Sequence, residues 1–297
     1  MNEEDIPLND EKINRPKPVV LLLIDGWGIA PKSEANAIAL AKIPVFLNLI
    51  KEYPAAVLKT FGKNLNINYF GLGTGKEIAE EISEPTLSLT KLIADSGLAQ
   101  IKISETERFA PLTHFFNGNN EDKVNNEEWT IVSSESGDHD NKPVLALRRN
   151  FKELKKAVEE NKYDFILASW PLLDLVARGG DFKEVSKAAG VLDSYLKKLL
   201  ISLEDKGGVL IISAAHGNAE RMKNVATDLA DPEITDNPVP FIIVGAEFKG
   251  RTIGLTDTLD NDLSLLEPAG TIADIAPTIL KILNIEKPAE MTGESLV

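Results

Sequence analysis

The chain has 297 residues, of which 43% are apolar and 26% charged, a balance typical of a folded globular protein. Cysteine is absent, which excludes disulfides and thiolate chemistry and fits a cytoplasmic location. The formal net charge of −14 argues against nucleic-acid binding, because an acidic surface repels phosphate backbones. No run of about 18 consecutive apolar residues occurs, so we expect no membrane span.

The first segment of the chain is polar and acidic. Residues 1–16 lack the basic start and the apolar middle of a signal peptide, and we expect them to form a disordered tail. Residues 17–297 are then expected to form a single domain, since α/β folds often reach this size in one unit.

Apolar runs and helical spacing alternate along the rest of the chain. The run that ends at Asp25-Gly26 is typical of a buried parallel strand. The other predicted strands cover residues 55–60, 99–105, 113–118, 127–134, 163–170, 208–217 and 238–245. The predicted helices cover residues 36–53, with a break or a new start at Pro44, and residues 87–98, 150–162, 182–205 and 273–285. This alternation predicts a doubly wound α/β fold, a mostly parallel sheet with helices on both faces.

Ligands of such sheets collect at the carboxyl ends of the strands. Three predicted strand ends carry candidate metal ligands, namely Asp25, Asp174 and His216. A turn aspartate and a structural histidine are the ordinary alternatives. Asp174 and Arg178 are four residues apart, so on a helical turn they would pair, and the guanidinium would supply the charge that a cation would otherwise supply.

A glycine-rich stretch, GLGTGKE at residues 71–77, has the composition of a phosphate-binding loop. Its glycine spacing is wrong for that motif, and Glu77 stands where Ser or Thr would follow the lysine. A plain tight turn is the preferred interpretation, although such a turn before a helix can also hold an anion.

Several stretches together carry a family resemblance. They are PVVLLLIDGWG with EANAIALAKIP, SGLAQIKISETERFAPLTHFFNG, YDFILASWPLLDLVARGG, GGVLIISAAHGNAE, and DNPVPFIIVG with the C-terminal segment ADIAPTILKILNIEKPAEMTGESL. In this order they resemble the 2,3-bisphosphoglycerate-independent phosphoglycerate mutases, members of the alkaline phosphatase superfamily. The resemblance implies an alkaline-phosphatase-like metalloenzyme domain related to glycolysis and dependent on a divalent metal.

The resemblance also shows where this chain departs from the family's metal ligands. Asp25, Asp174 and His216 match ligand positions. The family's other ligand positions carry different residues here: Arg178 and Ile234 each replace a histidine, and Ala215 replaces an aspartate. We therefore expect a remnant metal site with either no cofactor or one weakly bound Mn, Zn or Mg ion.

The family's nucleophile and its inserted second domain are also missing. The stretch KNLNINYFGLGTGKE contains no serine, and Thr74 is the remaining hydroxyl candidate for catalysis. Arg108 matches a family lysine near the reacting phosphate, so Arg108 and Arg178 are candidate substrate-binding residues, with Arg108 also a weak catalytic candidate.

These departures predict a catalytically degenerate mutase-like protein, a pseudoenzyme that binds a small phosphorylated ligand or a partner. One alternative is an active hydrolase or transferase of phosphate or sulfate esters, with a single-metal site rebuilt from Asp25, His216 and either Asp231 or Asp236. A second alternative is an interaction module that pairs with itself or with a true mutase.

Overall fold

The structure, a computed structural model, describes residues 15–61, 71, 73, 87–134, 142–224, 227, 229–231, 233–253 and 261–297. The predicted disordered tail, apart from residues 15 and 16, and Thr74 lie outside these residues.

One eight-stranded sheet organises the fold, with the strand order β4-β3-β5-β1-β6-β7-β2-β8. The strands are β1 Val19–Leu23, β2 Ala55–Lys59, β3 Gln100–Glu105, β4 Glu127–Val132, β5 Phe165–Ser169, β6 Val209–Ser213, β7 Val239–Val244 and β8 Gly270–Thr271. Only β7 runs antiparallel to its neighbours, β6 and β2. The predicted mostly parallel α/β sheet is therefore confirmed.

Within the described residues, six α-helices accompany the sheet. They are α1 Pro44–Glu52, α2 Leu89–Asp95, α3 Lys142–Glu160, α4 Leu172–Ala177, α5 Phe182–Glu204 and α6 Ile275–Ile282. The carboxylate of Asp181 caps α5 by accepting hydrogen bonds from the backbone N–H groups of Lys183 and Glu184 at 2.9 and 3.1 Å. None of the described helices is both long and apolar enough to cross a membrane.

The centre of the sheet fixes the position of the site. Strand β1 is fully buried along its whole length and lies between β5 and β6. In register, Leu23 stands opposite both Ser169 and Ser213, so the three strands end at the same level. The loops that follow β1, β5 and β6 are therefore brought together at one edge.

The helical spacing over residues 36–53 gives a helix that starts at Pro44, as the alternative of a new start there predicted. Residues 36–43 are not helical, because the Asn36 side chain bonds the backbone of Ala30 and Ala39 and holds this stretch in turns. The strand expected over residues 113–118 was wrong, because residues 113–115 belong to the π-helix Pro111–Phe115 and residues 116–118 form a turn. There Leu112 and Phe116, four residues apart, are both fully buried, a spacing that suits a helical face.

Candidate functional site

The loops after β1, β5 and β6 meet around two buried carboxylates. Asp25 and Asp174 are only 3% and 2% exposed. The backbone N–H of Asp174 donates to the carbonyl of Asp25 at 3.2 Å, and the backbone N–H of Ala215 donates to Oδ1 of Asp25 at 3.3 Å. The three strand ends that carry the candidate residues thus lie together at one edge of the sheet.

Gly26 makes this close approach possible. Its φ of +90° lies in the left-handed region, and a Cβ atom there would lie 2.6 Å from the backbone nitrogen of Asp174. Any side chain at this position would therefore push the two aspartate loops apart.

Arg108 joins the two carboxylates from the side of β3. A short 3₁₀ turn, Thr106–Arg108, follows β3 and directs the side chain of Arg108 toward the ends of β1 and β5. Its Nε lies 3.1 Å from Oδ2 of Asp25, and its Nη2 donates to Oδ2 of Asp174 at 2.5 Å. Burial works to lower the pKa of Arg108, but the two carboxylates outweigh it and raise that pKa above its ordinary value.

Arg178 pairs with the same carboxylate from the end of α4. Its Nη2 donates to Oδ2 of Asp174 at 2.6 Å, and its Nε lies 3.4 Å from Oδ1. The predicted pairing of these residues on one helical turn is confirmed. The Arg178 side chain is 54% exposed, so the outer part of its guanidinium faces solvent.

Two further residues hold the carboxylates, and sequence reasoning assigned neither of them a role. The fully buried Asn218 donates from Nδ2 to Oδ1 of Asp174 at 3.0 Å. The hydroxyl of Ser169 donates to Oδ2 of Asp25 at 3.4 Å. Both follow from position, since Ser169 ends β5 and Asn218 lies two residues beyond His216.

Glu105 ends β3 next to this cluster and is 1% exposed. Burial, reinforced by the neighbouring carboxylate of Glu107, raises the pKa of Glu105 to about 7, while Arg108 and Arg149 act in the opposite direction. Its Oε2 has no hydrogen-bond partner within the part of the chain that the structure describes. A neutral or partly protonated acid therefore lies beside the guanidinium of Arg108 near neutral pH.

A sequence model of the metalloenzyme superfamily matches residues 17–287. The chain belongs to the metalloenzyme superfamily. It is 34% identical over 240 residues to a 2,3-bisphosphoglycerate-independent phosphoglycerate mutase of Pseudomonas fluorescens, a match covering 78% of this chain and 44% of the relative. A mutase of the same description from Methanosarcina barkeri is 36% identical over 70% of this chain and 38% of its own length. The chain thus spans less than half the length of these curated relatives.

Solved structures with low sequence identity to this chain support the fold. A structure of Leishmania mexicana phosphoglycerate mutase at low cobalt concentration matches with a TM-score of 0.76 at 14% identity, covering 96% of this chain and 98% of that chain. A variant of TAB5 alkaline phosphatase matches with a TM-score of 0.56 at 13% identity, covering 92% and 99%. This chain is therefore a phosphoglycerate mutase-like metalloenzyme domain with an alkaline-phosphatase-like fold.

The superfamily implies a metal, but the side chains present here do not fit a divalent cation. Across the described ranges, no three His, Asp or Glu side chains gather closely enough to hold one. Both aspartates already face guanidinium groups, and Nδ1 of His216 lies 3.3 Å from the carbonyl oxygen of Gly217. The assignment of Asp25, Asp174 and His216 as metal ligands therefore stays a prediction.

The charge of the cluster explains this misfit. Two carboxylates, Asp25 and Asp174, face two guanidinium groups, Arg108 and Arg178, so the four formal charges cancel. Each arginine would repel a cation that entered between them. At about 4 Å and an effective dielectric of about 20, this repulsion is on the order of 4 kcal/mol per unit of cation charge. The net formal charge of these four side chains is therefore zero without a metal.

The two acids named for a rebuilt single-metal site have other surroundings of their own. Nε of Arg221 lies 3.3 Å from Oδ2 of Asp231 in an ion pair, and Asp236 is exposed. Ile234, for which the family resemblance implied a histidine position, is half-buried. The rebuilt site also stays a prediction.

Proposed function

We propose that this protein is a catalytically degenerate phosphoglycerate mutase-like domain, which keeps the fold of the superfamily but does not transfer phosphoryl groups. The observation that carries the proposal is the position of Arg108. Its guanidinium contacts both Asp25 and Asp174, the two carboxylates that would have to be free to bind metal.

Metal-assisted phosphoryl transfer explains why this matters. In two-metal sites the cations clamp the attacking and leaving oxygens and neutralise the charge that develops on them. Carboxylates that are saturated by arginine cannot also hold these cations. Ala215 and Ile234 add neither a carboxylate nor an imidazole at the family positions they occupy.

The loss of the nucleophile supports the same conclusion. Covalent phosphoryl transfer needs an activated hydroxyl beside the metal. The stretch that corresponds to the family's serine loop, residues 63–77, contains no serine. Asp25 and Arg108 thus remain in a site without the group that would attack the phosphate.

Binding is the role that such a site retains. A guanidinium carries five N–H donors, and Asp174 takes only part of those on Arg178, whose side chain is 54% exposed. The free donors suit a small phosphorylated ligand, which arginine recognises through paired hydrogen bonds. The interaction-module alternative stays a prediction beside this one.

The direct test is an assay of the purified chain for phosphoglycerate mutase and for phosphate-ester hydrolysis, with manganese added. The Pseudomonas fluorescens relative, prepared in the same way, serves as the positive control. We expect activity at least about a thousandfold below that control, because each ligand or nucleophile lost from such a site costs about tenfold or more. Mutase turnover comparable with the control, and abolished by Asp174→Asn, would show that the proposal is wrong.

A further inference from the structure

The contact between Arg108 and the two aspartates has a consequence for metal binding. We infer that Arg108 is a tethered cation that takes the place of the divalent metal, and that removing it converts Asp25 and Asp174 into a dication site. This inference rests on the proposed function, and it concerns the metal rather than turnover. It means that the folded protein needs no metal and that one substitution would restore a requirement for it.

The first argument is that the fold, and not the arginine alone, holds the carboxylates together. The backbone N–H of Asp174 donates to the carbonyl of Asp25 at 3.2 Å, and Gly26 leaves room for this contact. Asn218 fixes Oδ1 of Asp174 at 3.0 Å. The two carboxylates would therefore remain close to each other in a variant without Arg108.

The second argument comes from the atoms that Arg108 touches. Oδ2 of Asp25 and Oδ2 of Asp174 both face the same guanidinium, at 3.1 and 2.5 Å. Because one guanidinium faces both oxygens, a cation that took its place would lie between the same two carboxylates, which are the ligands that hard dications prefer. The hydroxyl of Ser169, 3.4 Å from Oδ2 of Asp25, and water could complete an all-oxygen shell.

The third argument is the cost of leaving the pair uncompensated. Asp25 and Asp174 are almost fully buried, so bulk water does not hydrate and stabilise either charge. Arg108 stays charged at every accessible pH and is part of the chain, so it competes with free metal at a high effective concentration. Without it, Arg178 is the one cation among the described residues that still pairs with Asp174, and Asp25 loses its ion pair with Arg108.

Thermal unfolding in EDTA and in excess manganese tests the inference on three forms of the full chain. For the wild type we expect the same melting temperature in both solutions. For Arg108→Met we expect manganese to raise the melting temperature by about 5 °C, the shift that binding at roughly a hundredfold excess over Kd gives a domain of this size. Lys91→Met is the matched control, because it frees the exposed Asp95 and creates no second carboxylate nearby; manganese should not change its melting temperature.

Each outcome decides the question. A manganese shift in Arg108→Met that disappears in Arg108→Met/Asp25→Asn supports the inference, as does a variant that folds only with manganese. A folded Arg108→Met protein without any shift overturns it. If that variant does not fold in either solution, the wild type decides: near-stoichiometric manganese retained on dialysis and lost in Asp174→Asn overturns the inference, and its absence supports it. Failure of the proposed function would appear separately, as mutase turnover in the activity assay.

Discussion

Arg108 and Asp174 are 66 positions apart in sequence, yet Nη2 of the arginine donates to Oδ2 of the aspartate at 2.5 Å. The contact joins the turn after β3 to the helix after β5, across neighbouring strands of the sheet. Because Asp174 is 2% exposed, its charge depends on this partner and on Arg178 rather than on water. The stability of the strand-end loops should therefore depend on the arginine.

Replacing Arg108 by Met should destabilise the metal-free protein by roughly 3–5 kcal/mol, because removing one partner of a buried ion pair leaves an uncompensated buried charge. Met keeps an apolar stem of similar reach. Urea denaturation in EDTA measures the change. The control Lys91→Met breaks an exposed pair, at 49% and 55% side-chain exposure, and should change stability by about 0.5 kcal/mol or less. Equal effects of the two substitutions would contradict the role given to Arg108.

Replacing Asn218 by Ala should cost roughly 1.5–3 kcal/mol, since its amide donates to a charged and buried carboxylate. Asn48→Ala is the matched control, because the side-chain amide of Asn48 donates a similar hydrogen bond to Glu52, at 2.9 Å, on an exposed helix surface. That change should cost about 0.5 kcal/mol or less. Chemical denaturation measures the free energy of unfolding of both variants. An Asn218→Ala variant as stable as the wild type would show that Asn218 does not stabilise the Asp174 carboxylate.

Gly26→Ala should destabilise the protein more than Gly97→Ala, although both glycines have a positive φ, of +90° and +73°. A Cβ on Gly97 meets nothing within 4 Å, so only backbone strain of about 1–2 kcal/mol is expected. A Cβ on Gly26 would lie 2.6 Å from the backbone nitrogen of Asp174, which cannot move aside as a flexible side chain could. Similar melting temperatures for the two variants would show that the aspartate loops do not need this close approach.

The pH dependence of stability should carry a signature of Glu105. Its pKa is about 7 in the folded protein and 4.5 as the reference value, so between these pH values the native state holds a proton that the unfolded state releases. Stability contributed by this group therefore falls as pH rises from about 4.5 to 7, by roughly 3 kcal/mol in total. Glu105→Gln has no such proton to lose.

Urea denaturation of the wild type and Glu105→Gln at a series of pH values tests this sign. The stability of the variant relative to the wild type should increase with pH across this window and then level off. Parallel pH curves for the two proteins would show that Glu105 titrates normally in the folded state.

The sheet and the meeting point of its strand ends could be predicted from sequence, because both follow from local pattern. The buried run before Asp25 and the turn after it specify β1, and a parallel sheet brings Asp25, Asp174 and His216 to one edge. The pairing of Asp174 with Arg178 also followed from their spacing of four residues.

The remaining parts of the site could not be read from sequence, since they depend on contacts between distant segments. Arg108 was recognised as a retained positive charge, but its contact with both aspartates depends on the 3₁₀ turn after β3. Nothing in the sequence distinguishes Asn218 from an ordinary loop residue. It reaches Asp174 because the loop of Gly26 holds it, through a hydrogen bond from the backbone N–H of Asn218 to the carbonyl of Gly26 at 3.3 Å. The turns over residues 36–43 have a local cause instead, because the Asn36 side chain bonds the backbone of Ala30 and Ala39.

Elemental analysis of the wild-type chain, purified from cells grown with added manganese and dialysed without chelator, tests the central claim most directly. If Arg108 occupies the carboxylates of Asp25 and Asp174, the protein should retain manganese, zinc or magnesium only far below one ion per chain. Near-stoichiometric metal that is lost on replacing Asp174 by Asn would contradict the account.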